Sequence, residues 1–149
     1  MRRTIFDTPV ISALMYRLAL LYLKLFGWRL EGQMPETKKF VLIAAPHTSN
    51  WDLPVMLCVA FALNAKIFWM GKHTLFRWPL RVFFKWLGGI PINRSAKHDV
   101  VSQSVELFRD NEEMILAVPP EGTRGKATYW KTGFYYIASG AEVPILMGF

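Results

Sequence analysis

The sequence predicts an α/β fold, a mainly parallel central sheet flanked by helices and preceded by an amphipathic helix. Three observations carry this. Short apolar, β-prone runs at 40–44, 67–70, 90–93, 114–118 and 143–147 alternate with segments of helical periodicity. Strands separated by helices need crossover connections, which leave neighbouring strands parallel. The 149 residues give room for one domain with a real core, and the single cysteine excludes an internal disulfide framework, so packing must hold the chain.

Taken in order, residues 10–26 come closest to a membrane span. Arg17 and Lys24 interrupt them, so they fall short of the roughly 18 uninterrupted apolar residues that a bilayer requires. The two cations share one helical face beside Ile11, Leu14, Leu18, Leu21, Tyr22 and Leu25. That pattern predicts an interfacial helix, with a core helix of the domain as the alternative. No small-residue cleavage site follows, so it does not read as a signal peptide. The expected organisation is 1–28 for a membrane-associating helix and 29–149 for the globular domain. Residues 27–32 read as a short strand and 33–39, with Pro35, as a polar turn.

Strand 40–44 leads through a tight loop into a helix from about Trp51 to Leu63, with Ser49 or Asn50 as N-cap. Strand 67–70 precedes a basic and aromatic helix within 75–87. Pro79 sets its regular start and leaves Arg77 just outside. The glycine pair Gly88-Gly89 ends it, and 90–93 is the next strand. Asp99 can cap a helix in which Val101, Val105 and Phe108 recur at helical spacing. Strand 114–118, helix 132–139 and strand 143–147 complete the order.

The chemistry centres on Pro46-His47-Thr48-Ser49-Asn50-Trp51-Asp52 and, further along, Glu121-Gly122-Thr123-Arg124. On a regular helix a five-residue step turns about 500°, leaving the side chains about 140° apart, so His47 and Asp52 could not meet there. His47 must sit before the helix, at the carboxyl end of a strand and beside a helix N-terminus, where α/β folds place ligands. Asp52, reaching back across the bend, can hold one ring nitrogen and leave the other as a general base. This is a triad without a protein nucleophile: Ser49 is too close in the chain and Cys58 falls inside an apolar helix. A hydroxyl supplied by the substrate would make the protein a transferase. Gly122 permits close backbone approach, Thr123 offers a hydroxyl and Arg124 a planar fork suited to phosphate oxygens. Glu121 is read either as the partner of an arginine or as a contact to an acceptor hydroxyl. Pro120 and Ala127 stand where a P-loop needs glycine and Ser or Thr, which excludes that motif.

These residues resemble the glycerolipid acyltransferases of the 1-acylglycerol-3-phosphate acyltransferase type, in a small bacterial form. Four blocks appear in the family's order: His47 to Asp52; Gly88-Gly89-Ile90-Pro91-Ile92-Asn93-Arg94; Pro120-Glu121-Gly122-Thr123-Arg124; and Val143-Pro144-Ile145-Leu146. The resemblance implies His47 as base, Asp52 as its partner, and Arg94, Glu121, Gly122, Thr123 and Arg124 as the site for the acceptor's polar head. Lys72 resembles a family lysine that approaches the acceptor phosphate. It also implies a glycerol-3-phosphate acyltransferase-like fold, an acyl thioester donor (acyl-CoA or acyl-carrier protein) and no permanent cofactor. Pro91 replaces the family's usual aromatic and Pro119 its usual Phe, which alters the acceptor walls. The run Tyr129-Trp130-Lys131-Thr132-Gly133-Phe134-Tyr135-Tyr136 resembles a subgroup of small bacterial members. Family members continue past the fourth block, so C-terminal elements are expected to be lacking after Phe149.

Charge completes the expectations. The chain carries a net +7 with 52% hydrophobic residues, and no acidic residue lies between Asp52 and Asp99. Arg77, Arg81 and Lys85 form a stripe among Phe76, Trp78, Phe83, Phe84 and Trp86, which suits an anionic membrane surface. No helix-turn-helix, ribonucleoprotein or zinc pattern supports nucleic acid, and no ligand-pair spacing supports a metal. The expected activity is acyl transfer from the thioester to a hydroxyl of a lysophospholipid or glycerol phosphate, with backbone N–H groups near Trp51 or a neighbouring loop on the oxyanion. The expected place is the cytoplasmic face of the cell membrane, peripherally or monotopically bound. The alternatives are a non-catalytic anionic-lipid-binding protein and a thioester or lipid hydrolase.

Overall fold

The computed structural model describes residues 3–46, 49, 51–93, 97–122 and 128–148, with the side chains of 97–99 left aside. A single 3-10 turn, Ile5–Asp7, precedes helix α1, Pro9–Leu25. Then follow β1 (Lys39–Ala44), α2 (Asp52–Ala62), β2 (Ile67–Lys72), a 3-10 turn (His73–Phe76), α3 (Leu80–Trp86), β3 (Gly89–Ile92), α4 (Lys97–Asp110), β4 (Met114–Val118), α5 (Gly133–Ala141) and β5 (Ile145–Gly148). The strands form one five-stranded sheet in the order β3-β2-β4-β1-β5, every pair parallel. The predicted class is the one found.

The order dictates where the helices go. From β1 through β2 to β3 the chain moves toward one edge of the sheet, and from β3 through β4 to β5 it moves back. A crossover between parallel strands is right-handed, so reversing direction obliges the chain to change faces. The packing follows suit. On one face α2 sets Met56 and Ala60 against Leu42, Ile67 and Ile115. On the same face Trp69 of β2 packs with Phe76 and with Phe84 of α3. On the other, Phe108 of α4 with Ile137 and Ala138 of α5 covers Val41, Phe68, Met114, Leu116 and Val118. Strand residues point alternately to the two faces, so these parallel strands are apolar on both sides. Val41 and Leu116 are fully buried. Gly140 lets α5 close on α4: a Cβ there would come 2.9 Å from Val105 Cγ2.

Glycine also sets the join of α3 to the sheet. Gly88 stands at φ +86, and a Cβ on it would lie 2.6 Å from the Ile67 carbonyl oxygen. That space lets the Gly88 carbonyl accept from Trp69 N–H at 3.1 Å, while the Trp69 indole donates to the Leu87 carbonyl at 3.1 Å. Pro91, one of the departures in the second block, is exposed on β3, the outermost strand on that side. A proline costs least on an edge strand, where one side of the backbone has no ladder partner.

The N-terminus is held by packing and by one ion pair. Met15 and Ala19 of α1 pack with Cys58, Phe61 and Ala62 of α2, and Phe6 lies on Phe61 with ring centroids 4.6 Å apart. Asp7 accepts from Lys66 Nζ at 2.7 Å and from Thr4, by N–H at 2.8 Å and hydroxyl at 2.9 Å. Burial alone would push the Asp7 carboxyl up, but the hydrogen bonds from Lys66 and Thr4 and the charge of Lys66 outweigh it and hold the carboxyl below its usual range. The remaining apolar surface of α1 faces outward: Leu14, Leu18, Leu21 and Leu25 are exposed, as are Arg17 and Lys24.

Three sequence expectations are corrected. Asp99 does not stand at the cap, because α4 already begins at Lys97. Residues 27–32 form no strand, because Gly27, at φ +70, and Trp28 are used to close α1, with Trp28 N–H donating to the Leu23 carbonyl at 2.8 Å. The basic and aromatic segment is two pieces, since the 3-10 turn His73–Phe76 precedes α3 and Arg77 to Pro79 separate them. Arg77 is outside α3, as Pro79 foretold.

Replacing Phe108 by alanine empties the centre of the α4 and α5 layer and is expected to destabilise the fold by about 3–5 kcal/mol, read from denaturant melts. For Asp7 the sign follows from a lowered folded pKa: the stabilisation is present above the unfolded value and is lost as pH falls through the folded one. Asp7→Asn should therefore cost about 0.5–1 kcal/mol at pH 7 and progressively less as the pH falls below the usual carboxylate range, checked by melts across that span.

Candidate functional site

The crossovers position the site before any side chain is considered. Among neighbouring strands, β3 and β4 send the chain onto one face while β2 and β1 send it onto the other, so the exits alternate in the order β3, β2, β4, β1. Such alternation opens a crevice along the carboxyl edge between front and back segments. Each candidate residue ends, or follows in the sequence, a strand whose carboxyl end borders that crevice. His47 follows Ala44, the end of β1; Lys72 is the last residue of β2; Arg94 follows Ile92, the end of β3; Glu121 follows Val118, the end of β4. The helices run back against the strands, so α2, α4 and α5 turn their positive N-terminal ends toward the same edge. His47, Arg94, Thr123 and Arg124 lie outside the described residues; Asp52, Lys72, Glu121 and Gly122 lie within them.

Asp52 is the first residue of α2, and its carboxylate turns back over the bend. Oδ2 accepts from Ser49 N–H at 2.8 Å, and Oδ1 lies 3.4 Å from the Ser49 hydroxyl. Ser49 Oγ in turn accepts from Trp51 N–H at 3.1 Å. The bend is thus closed from both sides, in the reciprocal manner of a capping box. The sequence placed the N-cap at Ser49 or Asn50; the residue before the first helical turn is Trp51, whose carbonyl accepts from Val55 N–H at 3.1 Å. Two chemical consequences follow. The Ser49 hydroxyl is tied into the bend, unlike a free nucleophile. The Trp51 N–H is engaged by Ser49, so of the backbone N–H groups near Trp51 or in a neighbouring loop that the sequence offers for an oxyanion, this one is already used within the bend.

Cys58 is likewise removed from nucleophilic duty. Its thiol points at the Ala19 carbonyl, Sγ to O 3.6 Å, between α2 and α1, and burial pushes its pKa up, so the thiolate is disfavoured.

On the other side of the crevice, Lys72 is exposed and stands in register with Ile92, two residues before Arg94. The β1 and β4 register pairs Ile43 with Val118, so the segments carrying His47 and Glu121 leave adjacent strands at the same level. After Val118, Pro119 begins a turn: its carbonyl accepts from Gly122 N–H at 3.2 Å, and the carbonyl of the fully buried Pro120 accepts from Lys131 N–H at 2.8 Å. The Oε2 atom of Glu121 is buried within this turn. Gly122 has φ +64, and a Cβ on it would meet Lys131 Cδ at 2.9 Å and Nζ at 3.2 Å. The sequence reads Gly122 as leaving room for close approach; the group that uses the room is the Lys131 side chain. Lys131 is not among the residues that the sequence singles out, although it stands in the aromatic run that follows the third block. Among the described residues no three His, Cys, Asp or Glu side chains gather as a metal site would need.

Comparison with known proteins gives the site a context. A family model described as Acyltransferase matches residues 28–146. The mouse 1-acyl-sn-glycerol-3-phosphate acyltransferase epsilon is 30% identical over 115 residues, covering 68% of this chain and 30% of the relative. The crystal structure of the 1-acyl-sn-glycerophosphate (LPA) acyltransferase PlsC from Thermotoga maritima superposes with a TM-score of 0.61 at 19% identity, over 91% of this chain and 55% of that one. The present chain therefore spans about a third and about half of these two relatives, and the second likeness speaks to the fold.

Ser49→Ala separates a bend residue from a nucleophile. It is expected to lower stability by about 1 kcal/mol through loss of the hydroxyl bonds while leaving turnover within about tenfold. Loss of a nucleophile would remove on the order of a thousandfold or more. Thermal melts and turnover rates on the same preparation distinguish the two.

Proposed function

The chain belongs to the acyltransferase family, and on that premise we propose that it moves a fatty acyl group from an acyl thioester, acyl-CoA or acyl-carrier protein, to a hydroxyl of a lysophospholipid or glycerol phosphate. The observation that carries the reading is the convergence of strand exits: the segments bearing His47, Lys72, Arg94 and Glu121 to Arg124 all leave the carboxyl edge of one parallel sheet. The mouse relative, a 1-acyl-sn-glycerol-3-phosphate acyltransferase, supports a phosphate-bearing acceptor.

His47 takes the proton from the acceptor hydroxyl as that oxygen attacks the thioester carbonyl, and returns it to the departing thiolate as the tetrahedral intermediate collapses. Asp52, its carboxylate anchored by Ser49, stabilises the imidazolium formed in between. Arg94, Arg124 and Lys72 hold the acceptor phosphate, with Thr123 and the Gly122 backbone beside it, and thereby align the hydroxyl with the carbonyl. Glu121, its Oε2 buried in the turn, orients an arginine or the acceptor's second hydroxyl. The chemistry calls for no metal and no permanent cofactor.

Substrates of this class sit in a bilayer, and the surface suits one. Among the described residues no helix is long and apolar enough to cross a membrane. Outward apolar residues nevertheless crowd α1 (Leu14, Leu18, Leu21 and Leu25) and the start of α3, where Trp78 is 90% and Val82 76% exposed beside Arg77 and Arg81. Patches of this kind mark an interface. In this reading residues 1–28 lie on the cytoplasmic leaflet and 29–149 reach the substrate from there.

Thiol release from palmitoyl-CoA, measured in detergent with and without lysophosphatidate while phosphatidate is followed by mass spectrometry, tests the proposal. Release should depend on the acceptor and fall at least a hundredfold in His47→Ala. Acceptor-independent release of free fatty acid would make the protein a hydrolase. Undiminished release in His47→Ala would refute the base.

A further inference from the structure

Gly122 is held at φ +64 with its backbone directly beneath a lysine. The lysine does not arrive there by drifting over the surface. Lys131 N–H donates to the Pro120 carbonyl at 2.8 Å, which fixes the origin of its side chain opposite the turn, and the stem then crosses Gly122 so that a Cβ would strike Cδ at 2.9 Å and Nζ at 3.2 Å. Any residue other than glycine at 122 would displace the ammonium. Among the described residues no carboxylate pairs with Lys131. Its charge therefore stands over the backbone of the residue between Glu121 and Thr123, at the exit of β4 where the crevice opens.

We propose that Lys131 is a further binding residue for the acceptor's phosphate, a specificity determinant that favours acceptors carrying a dianionic headgroup over neutral ones; this rests on the acyl-transfer reading above. An ammonium is a compact, strongly hydrated point charge on a flexible stem, which suits it to meet a phosphate oxygen from one side while arginine forks meet it from another. Its chain neighbour Trp130 packs edge-on against Phe134, ring centroids 6.4 Å apart, which steadies the segment that carries the lysine. The acceptor headgroup thus meets the lysine with the Gly122 turn below.

The test compares wild type, Lys131→Met and Lys131→Arg. The backbone N–H that bonds Pro120 survives both substitutions, so the turn is retained. Lysophosphatidate turnover should show KM raised about tenfold in Lys131→Met with kcat within about twofold, and Lys131→Arg should recover most of the loss. In parallel, isothermal titration with sn-glycerol 3-phosphate should show about tenfold weaker binding in Lys131→Met than in wild type. An unchanged KM and unchanged glycerol 3-phosphate affinity overturn the proposal. So does a fall in kcat at constant KM, which would make Lys131 a support of the turn. Should the wild type transfer no acyl group, the acyl-transfer reading fails, and the titration alone then decides the lysine.

Discussion

Everything at the carboxyl edge depends on a reversal. After β3 the chain turns back across the sheet, and right-handed crossovers oblige it to change faces as it does so. The result is an alternation of exits along the edge, front for β2 and β1, back for β3 and β4, and a crevice between them. Had the chain continued outward past β3 the helices would have stayed on one face and the motif segments would have left the sheet side by side with no gap. Where the motif-bearing segments begin is in this sense a property of strand order, and the buried apolar residues of β1, β2 and β4 matter because they hold that order.

Along the crevice the glycine and proline residues of the motif blocks divide into two roles. Gly88 and Gly89 serve packing: they let β3 lie beneath Trp69, Phe76 and Phe84, and their loss would shift the strand that delivers Arg94. Gly122, Pro119 and Pro120 shape the turn after β4 and the seat of Lys131. Asp52 acts in a further way, because the contacts that close the bend before α2 also fix the direction of its carboxylate.

Most of the architecture was legible in the sequence. Met114–Val118 was bounded without error because its apolar run is short, β-rich and ended by prolines, and Lys39–Ala44 differed from expectation by one residue. The strand expected at 27–32 failed for a local reason, since Gly27 and Trp28 cap α1 and the alternation of polar and apolar residues there carried no information about pairing. Strand order was not legible, because hydrophobic periodicity says which segments are strands and nothing about their neighbours. At the site, Asp52 reaching back over the bend could be foreseen from helical geometry. The place of Lys131 could not: its relation to Gly122 depends on one backbone hydrogen bond between segments separated in the chain, and no spacing rule encodes it.

The outer strand carries a last consequence. In a parallel ladder alternate residues direct their backbone groups inward, and with the Gly88 carbonyl facing Trp69, the residues facing away from β2 are Gly89 and Pro91. Pro91 has no N–H to offer. The free margin of β3 is therefore poor in donors, and a strand approaching from outside would find too few partners to zip against. Edge-to-edge association of copies through β3 is thus disfavoured by a single residue.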